Sequence, residues 1–96
     1  MAAVSGKYAV VGSVTNAQID TITLTGSGKS CVISVRNSEN LWVRFDGVDP
    51  TAGGAAENFV ILGKGARVFQ YNAGATIKVT GDTITAATYC IELQPL

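Results

Sequence analysis

Three sets of residues in this 96-residue chain could do chemistry: a glycine-rich turn, two cysteines and a few carboxylates. The turn at residues 26–30 reads Gly-Ser-Gly-Lys-Ser, which matches the end of a phosphate-binding P-loop. That motif requires a further glycine at position 23, where the chain has Thr23, and a helix after the loop. The residues after Ser30 alternate as in a strand. The sequence therefore predicts a turn between strands and no phosphate site.

Cys31 and Cys90 each lie inside a run with β character, and the chain has no histidine and no Cys-x-x-Cys pair. Zinc binding is therefore not expected. Because free cysteine behaves as a small hydrophobic residue, we expect two buried free thiols. The alternatives are a disulfide and a catalytic thiol, and the latter lacks a histidine as base.

The acidic residues Asp46 and Asp49 lie in a loop rich in glycine, proline and alanine at residues 46–56. Together with Asp20 or Glu57 they could form a calcium site made of oxygen ligands. Aspartates in such loops more often accept hydrogen bonds from nearby backbone N–H groups. We therefore expect no metal and no cofactor. The lack of histidine also excludes a serine-hydrolase triad, so the sequence predicts a protein that is not an enzyme.

Composition limits the partners. Seven basic residues balance seven acidic ones, and only 15% of the chain is charged. A broad basic surface for nucleic acid is therefore not available. No apolar run approaches the roughly 20 residues of a membrane helix, and the N-terminus does not resemble a secretory signal. Because net charge near zero favours association, we expect homo-oligomers. From the missing secretory signal we expect a chain made in the cytoplasm, and we expect neither nucleic-acid nor membrane partners.

Alternating β-branched residues between glycine-rich turns predict an all-β fold. We expect a single-domain antiparallel β-sandwich of about eight strands, Greek-key or jelly-roll-like, at residues 7–96, preceded by an N-terminal arm at residues 1–6. The irregular phase of Ile19 and Ile22 predicts a bulge or a strand start near Asp20. The predicted strands span residues 7–12, 18–26, 30–37, 41–46, 58–62, 66–71, 75–80 and 83–93.

The strand at residues 41–46 places Leu41, Val43 and Phe45 on one face and Trp42 and Arg44 on the other. The first set is expected to face the core, so that Phe45→Ala would cost about 3–5 kcal/mol. A tryptophan beside an arginine is typical of an interface anchor or of a platform for stacking sugars. The alternative is a second buried layer.

Residues 35–51 read VRNSENLWVRFDGVDPT and resemble a β module of small tailed-bacteriophage virion proteins. In that module a strand ends at an asparagine, as at Asn37, and a polar turn leads to a strand of this VRFDGVDPT type. A small-residue loop and a glycine turn follow, as at residues 59–65, and then a run like residues 76–79. The resemblance covers about residues 30–93. Its motifs are turns and core positions, so no catalytic residue is implied.

The resemblance implies a phage virion structural protein, with a capsid decoration (cement) protein as the first expectation. Such a protein would bind the major capsid protein on the outer capsid surface as a homo-oligomer, with a trimer expected, after assembly in the host cytoplasm. The alternatives are a small tail or neck structural protein and a carbohydrate-binding or adhesive module that stacks sugars on Trp42, Tyr71 or Tyr89. The candidate interaction residues are Met1, Ala2, Ala3, Val4, Trp42, Arg44, Asp49 and Pro50.

Overall fold

A computed structural model describes residues 2–54, 58–72 and 75–94 of the protein. Within these ranges the chain forms nine strands and no helix, and the strands build two packed sheets. The predicted single-domain all-β sandwich is thereby confirmed. The strands are β1 (Ala2–Gly6), β2 (Ala9–Val14), β3 (Ile19–Leu24), β4 (Ser30–Val35), β5 (Leu41–Arg44), β6 (Phe59–Ile61), β7 (Ala66–Gln70), β8 (Ile77–Gly81) and β9 (Ala87–Gln94).

The two sheets have the strand orders β1-β3-β8-β5-β6 and β2-β9-β4-β7. From β2 onward every connection crosses from one sheet to the other, except the β5–β6 connection. This is the jelly-roll arrangement of eight strands, which the sequence predicted as one of two alternatives. All pairs are antiparallel except β1 with β3, which run parallel and make the five-stranded sheet mixed.

Alternate residues of the strands fill the space between the sheets. In β4, Cys31, Ile33 and Val35 are buried, while the intervening side chains lie on the outer face. This period of two follows from the pleat of a β-strand. The fully enclosed core side chains, each with an exposed fraction of zero, are Val14, Cys31, Ile33, Leu41, Val43, Ile61, Ile77, Val79, Ala87, Tyr89 and Ile91.

The N-terminal segment differs from the predicted arm. Residues Ala2–Gly6 form β1 at the edge of the five-stranded sheet, and the first predicted strand lies instead at Ala9–Val14. A Cβ atom on Gly6 would lie 2.2 Å from the carbonyl oxygen of Ala9, so glycine permits the tight passage from one sheet to the other. The sequence did not reveal β1 because its small residues show no alternation of apolar and polar side chains. Met1 lies outside the described residues.

Three further details differ from or refine the predicted strands. The second predicted strand begins at Ile19, so the phase change near Asp20 marks a strand start, and Asp20 itself points into the core. The last strand begins at Ala87, four residues later than expected. Phe45 lies just beyond the end of β5 and is only half-buried, although it packs against the core as predicted.

Candidate functional site

The outer face of the five-stranded sheet brings several of the predicted interaction residues together. Strand pairing places Trp42 between Thr80 and Val60, and Arg44 beside Lys78. Thr80 is itself buried, and we call the surface formed by the other four residues, Trp42, Val60, Arg44 and Lys78, the Trp42 face. Ala3, in the edge strand β1 on the far side of the same sheet, points outward and pairs with Thr21 of β3.

Trp42 is half-buried, and its orientation is fixed by a loop at the end of the sandwich. Its indole Nε1 donates a hydrogen bond of 2.8 Å to Oδ1 of Asp82. The side-chain amide of Asn40 donates to the other oxygen of this carboxylate at 3.5 Å. The indole N–H is therefore already used, and the exposed part of the ring can make only stacking or apolar contacts.

Both basic residues of the Trp42 face are paired with carboxylates from the loop after β5. Arg44 donates through Nε to Oδ1 of Asp46 at 3.0 Å and forms a second contact through Nη2. This hydrogen-bonded guanidinium lowers the pKa of Asp46 to about 2. Lys78 donates through Nζ to Oδ1 of Asp49 at 2.9 Å. The pairing leaves this face without excess charge.

The prediction that loop aspartates accept backbone hydrogen bonds is confirmed for Asp46, whereas the contact that the described residues give Asp49 is with Lys78. The N–H of Val48 donates to Asp46 at 3.2 Å, across a turn in which Gly47 has a φ of 79°. Asp49 instead reaches the lysine across the sheet. Pro50 is buried, so its side chain is not offered to a partner.

The N-terminal candidates are divided between two environments. Ala2 and Ala3 are exposed, whereas Val4 is half-buried and packs against the core. Because β1 is paired through its whole length with β3, these residues form a sheet edge and not a free arm.

Two of the three aromatic residues named for sugar stacking belong to the core. Tyr71 is 3% exposed and Tyr89 is fully buried. Their hydroxyl groups donate to the carbonyl oxygen of Leu24 at 3.3 Å and to Oδ2 of Asp20 at 2.7 Å. Sequence patterns do not separate such tyrosines from exposed ones, because a buried partner for the hydroxyl is visible only in the fold. Trp42 alone of the three remains partly exposed.

The two cysteines are free and lie on opposite faces of the four-stranded sheet. Cys31 is fully buried, and burial raises the pKa of its thiol to about 11. Cys90 is half-buried and stands opposite Ser34 on the outer face. A disulfide between them is therefore excluded by geometry, since their Cβ atoms point apart.

Sequence reasoning missed an apolar surface on the outer face of the four-stranded sheet. Val11 is 56% exposed and Val68 is 65% exposed. Strand pairing places Cys90 beside Val11 and Val32 beside Val68, while Ser34 stands opposite Cys90 and Glu92 opposite Val32. We call Val11, Val32, Val68 and Cys90 the valine face. Among the outward-pointing residues of these strands, only Glu92 is charged. The sequence did indicate exposed apolar residues here, because Val10-Val11 in β2 and Val68-Phe69 in β7 each put apolar side chains on both faces of their strand.

The described residues contain no group of three or more histidine, cysteine, aspartate or glutamate side chains placed to hold a metal ion. In the same ranges there is no helix of the length and apolar character needed to cross a membrane. Comparisons with known protein-family models, with curated protein sequences and with solved structures find no match to this chain.

Proposed function

We propose that this protein is a structural component of a tailed-bacteriophage virion, namely a capsid decoration protein that binds the outside of the shell as a homotrimer and stabilises the head. The observation that carries the proposal is the valine face. Large apolar side chains that are exposed together on one face of a sheet mark a site of interaction with another macromolecule. The resemblance of residues 35–51 to small virion proteins and the jelly-roll order, which recurs in viral capsid domains, also support the proposal.

The valine face suits binding to a protein shell. Its valines have β-branched side chains that lose little rotamer freedom on burial, so ordering them costs little entropy. A standard interface buries about 1,600 Å² in total. If the same interface forms at many equivalent sites of the capsid, the sum of these contacts would stabilise the whole shell. In this proposal the major capsid protein covers the valine face. With little charge on this face, binding would depend only weakly on salt.

Adding the purified protein back to shells that lack it tests the proposal directly. Shells from a phage deleted for this gene are mixed with the protein, and co-sedimentation measures binding. We expect wild-type protein to sediment with the shells and the double variant Val11→Asp, Val68→Asp to stay in solution. Thr23→Asp, an exposed position on the opposite sheet, is the matched control and should bind normally. Wild-type protein that fails to bind would reject the proposal, and equal binding by the double variant would reject the valine face as the contact.

A second candidate function is supported by the Trp42 face. The ring of Trp42 is partly exposed, fixed by its bond to Asp82 and surrounded by paired charges, as on a platform for stacking a sugar ring. A carbohydrate-binding module on the head or tail would show glycan-array binding that Trp42→Ala abolishes. If the array is negative and the wild-type protein co-sediments with shells, the decoration function is favoured.

A further inference from the structure

A pocket of about 320 Å³ opens between β6 and β7, the edge strands on one side of the sandwich. Its lining is aliphatic apart from one arginine. The guanidinium of Arg67 lies over the rings of Phe59 and Phe69, at 5.6 and 5.2 Å from their centroids, and Nη1 donates to the carbonyl oxygen of Val60 at 3.3 Å. The lining residues are Val60, Ile61, Leu62, Gly65, Ala66 and Arg67.

The pocket carries positive charge at its rim. Within the described ranges, ion pairs join Arg44 to Asp46 and Lys78 to Asp49, and neither involves Arg67. Lys64 stands at the tip of the turn that closes the pocket, exposed and held at a φ of 61° by the bond from its N–H to the carbonyl oxygen of Asn37 at 2.8 Å. An occupant with an aliphatic side chain beside a carboxylate would complement both the aliphatic lining of the pocket and the positive charge at its rim.

The chain itself presents such a group. Ile84, in the loop between β8 and β9, is 86% exposed, the highest value among the exposed large hydrophobic residues of the described chain. Its neighbour Thr83 donates from its hydroxyl to the carboxylate of Glu39, and the carbonyl oxygen of Thr83 accepts from the N–H of Asn16 at 2.9 Å.

This loop is held on both sides of Ile84. Beyond it, the N–H of Thr85 donates to Oγ1 of Thr83 at 3.1 Å, and the side-chain amide of Asn37 donates to the carbonyl oxygen of Ala86 at 2.8 Å. The isoleucine is therefore presented by a fixed loop, and little conformational entropy remains to be lost when a partner covers it.

We propose that Ile84 of one copy inserts into the β6–β7 pocket of a second copy, with Glu39 facing Arg67 and Lys64 across the contact. This inference deepens the proposed homo-oligomer and rests on it. The contact joins two different surfaces, so it is of the head-to-tail kind, which forms a ring such as a trimer when the rotation between copies closes.

The positions of the two surfaces fit a ring. The turn that closes the pocket is bonded to the β4–β5 loop, since the N–H of Gly63 donates to Oδ1 of Asn40 at 3.0 Å. The same β4–β5 loop holds the Ile84 loop through Asn37. Ile84 and the pocket therefore lie at the same end of the sandwich, where both can approach one symmetry axis.

Sedimentation equilibrium of the purified protein tests this contact. We expect wild-type protein to form trimers and Ile84→Asp to weaken association about tenfold to a hundredfold, the value of one aliphatic side chain that loses its pocket. Because Ile84 is exposed, folding should be unaffected, which circular dichroism checks. Val11→Asp, an exposed valine on the other side of the domain, is the matched control and should associate like wild-type protein.

A charge exchange gives a second, independent readout. Arg67→Glu should weaken association, and combining it with Glu39→Arg should restore a large part of the loss. A monomeric wild-type protein, or an Ile84→Asp variant that associates like wild-type protein, would overturn the proposed contact. Such a result would be distinguishable from failure of the capsid function, because binding to shells through the valine face is measured separately with the Val11 and Val68 variants.

Discussion

Asp20 and Tyr89 form a buried hydrogen bond that joins the two sheets. Asp20 belongs to β3 in one sheet and Tyr89 to β9 in the other, and their side-chain oxygens are 2.7 Å apart. Burial, with the neighbouring carboxylate, raises the pKa of Tyr89, so the phenol stays protonated and acts as donor. Gly12 makes room for the ring, because a Cβ atom there would lie 2.6 Å from the phenolic oxygen.

Tyr89→Phe should therefore destabilise the fold by about 1–3 kcal/mol, because it leaves the buried Asp20 carboxylate without this donor. Tyr71→Phe is the matched control. Its hydroxyl makes a longer bond, 3.3 Å to a backbone carbonyl, and we expect a loss at or below about 1 kcal/mol. Urea denaturation of the two variants measures the difference. Equal losses would contradict a special role for the Asp20 contact.

The buried thiol of Cys31 makes the free energy of unfolding fall as pH rises into the alkaline range. Its thiol has a pKa of about 11 in the folded protein against 9.0 for the ordinary value, so the unfolded chain releases this proton first. Stability from this group is fully present below pH 9.0 and is lost between pH 9.0 and about 11, by about 2–3 kcal/mol. The raised pKa of Tyr89 acts in the same direction. Denaturation midpoints measured across this range should fall, and Cys31→Ala should make the fall shallower; an unchanged slope would contradict the assignment.

At the scale of elements, the loop after β5 is positioned by surface ion pairs. Asp49 is about half exposed, so its pair with Lys78 is screened by water. We expect Asp49→Ala to cost about 1 kcal/mol or less, at the lower end of the value for a capping aspartate. Thermal unfolding should be the same with and without EDTA, because the aspartates of this loop are held by basic side chains. A rise in the melting temperature with calcium would contradict this description.

Three phenylalanines close the open side of the sandwich beside β5. The rings of Phe45 and Phe69 are 4.9 Å apart, and those of Phe45 and Phe59 are 5.9 Å apart. Because Phe45 is half-buried, Phe45→Ala should cost about 2 kcal/mol, less than the about 3–5 kcal/mol expected for a fully buried ring. Leu41→Ala, fully buried in the same strand, should cost more. Chemical denaturation that ranks the two variants in the opposite order would contradict the assigned burial.

The sequence predicted strands correctly where β-branched residues alternate. It failed where backbone pairing or hydrogen bonds from distant parts of the chain determine the strand. The predicted starts at Ser30, Leu41 and Ala66 are those observed, because each follows a clear turn. The segment Ala2–Gly6 has no such pattern and becomes a strand through backbone pairing with β3. The start of β9 at Ala87 depends on hydrogen bonds from distant loops to residues 83–86, which no local pattern reveals.

At the scale of the whole molecule, the sandwich was predictable and its pairing order was not. Alternation shows that β4 has one buried face, yet its partners β7 and β9 lie far along the chain. The outward positions of Trp42 and Arg44 followed from alternation in β5. Apolar residues on both faces of β2 and β7 indicated exposed valines, but which of them share one face, and the β6–β7 pocket, depend on the pairing of strands distant in sequence. Two surfaces with different character on a neutral domain are consistent with separate contacts to the shell and to other copies.

The number of copies in a virion tests the proposed capsid function most directly. Under this proposal a phage encodes the chain, and quantitative mass spectrometry of its purified particles would give the ratio of this protein to the major capsid protein. A decoration protein on repeated outer sites is expected at a copy number of the same order as that of the major capsid protein. Absence from the particles, or only a few copies in each, would contradict the decoration function.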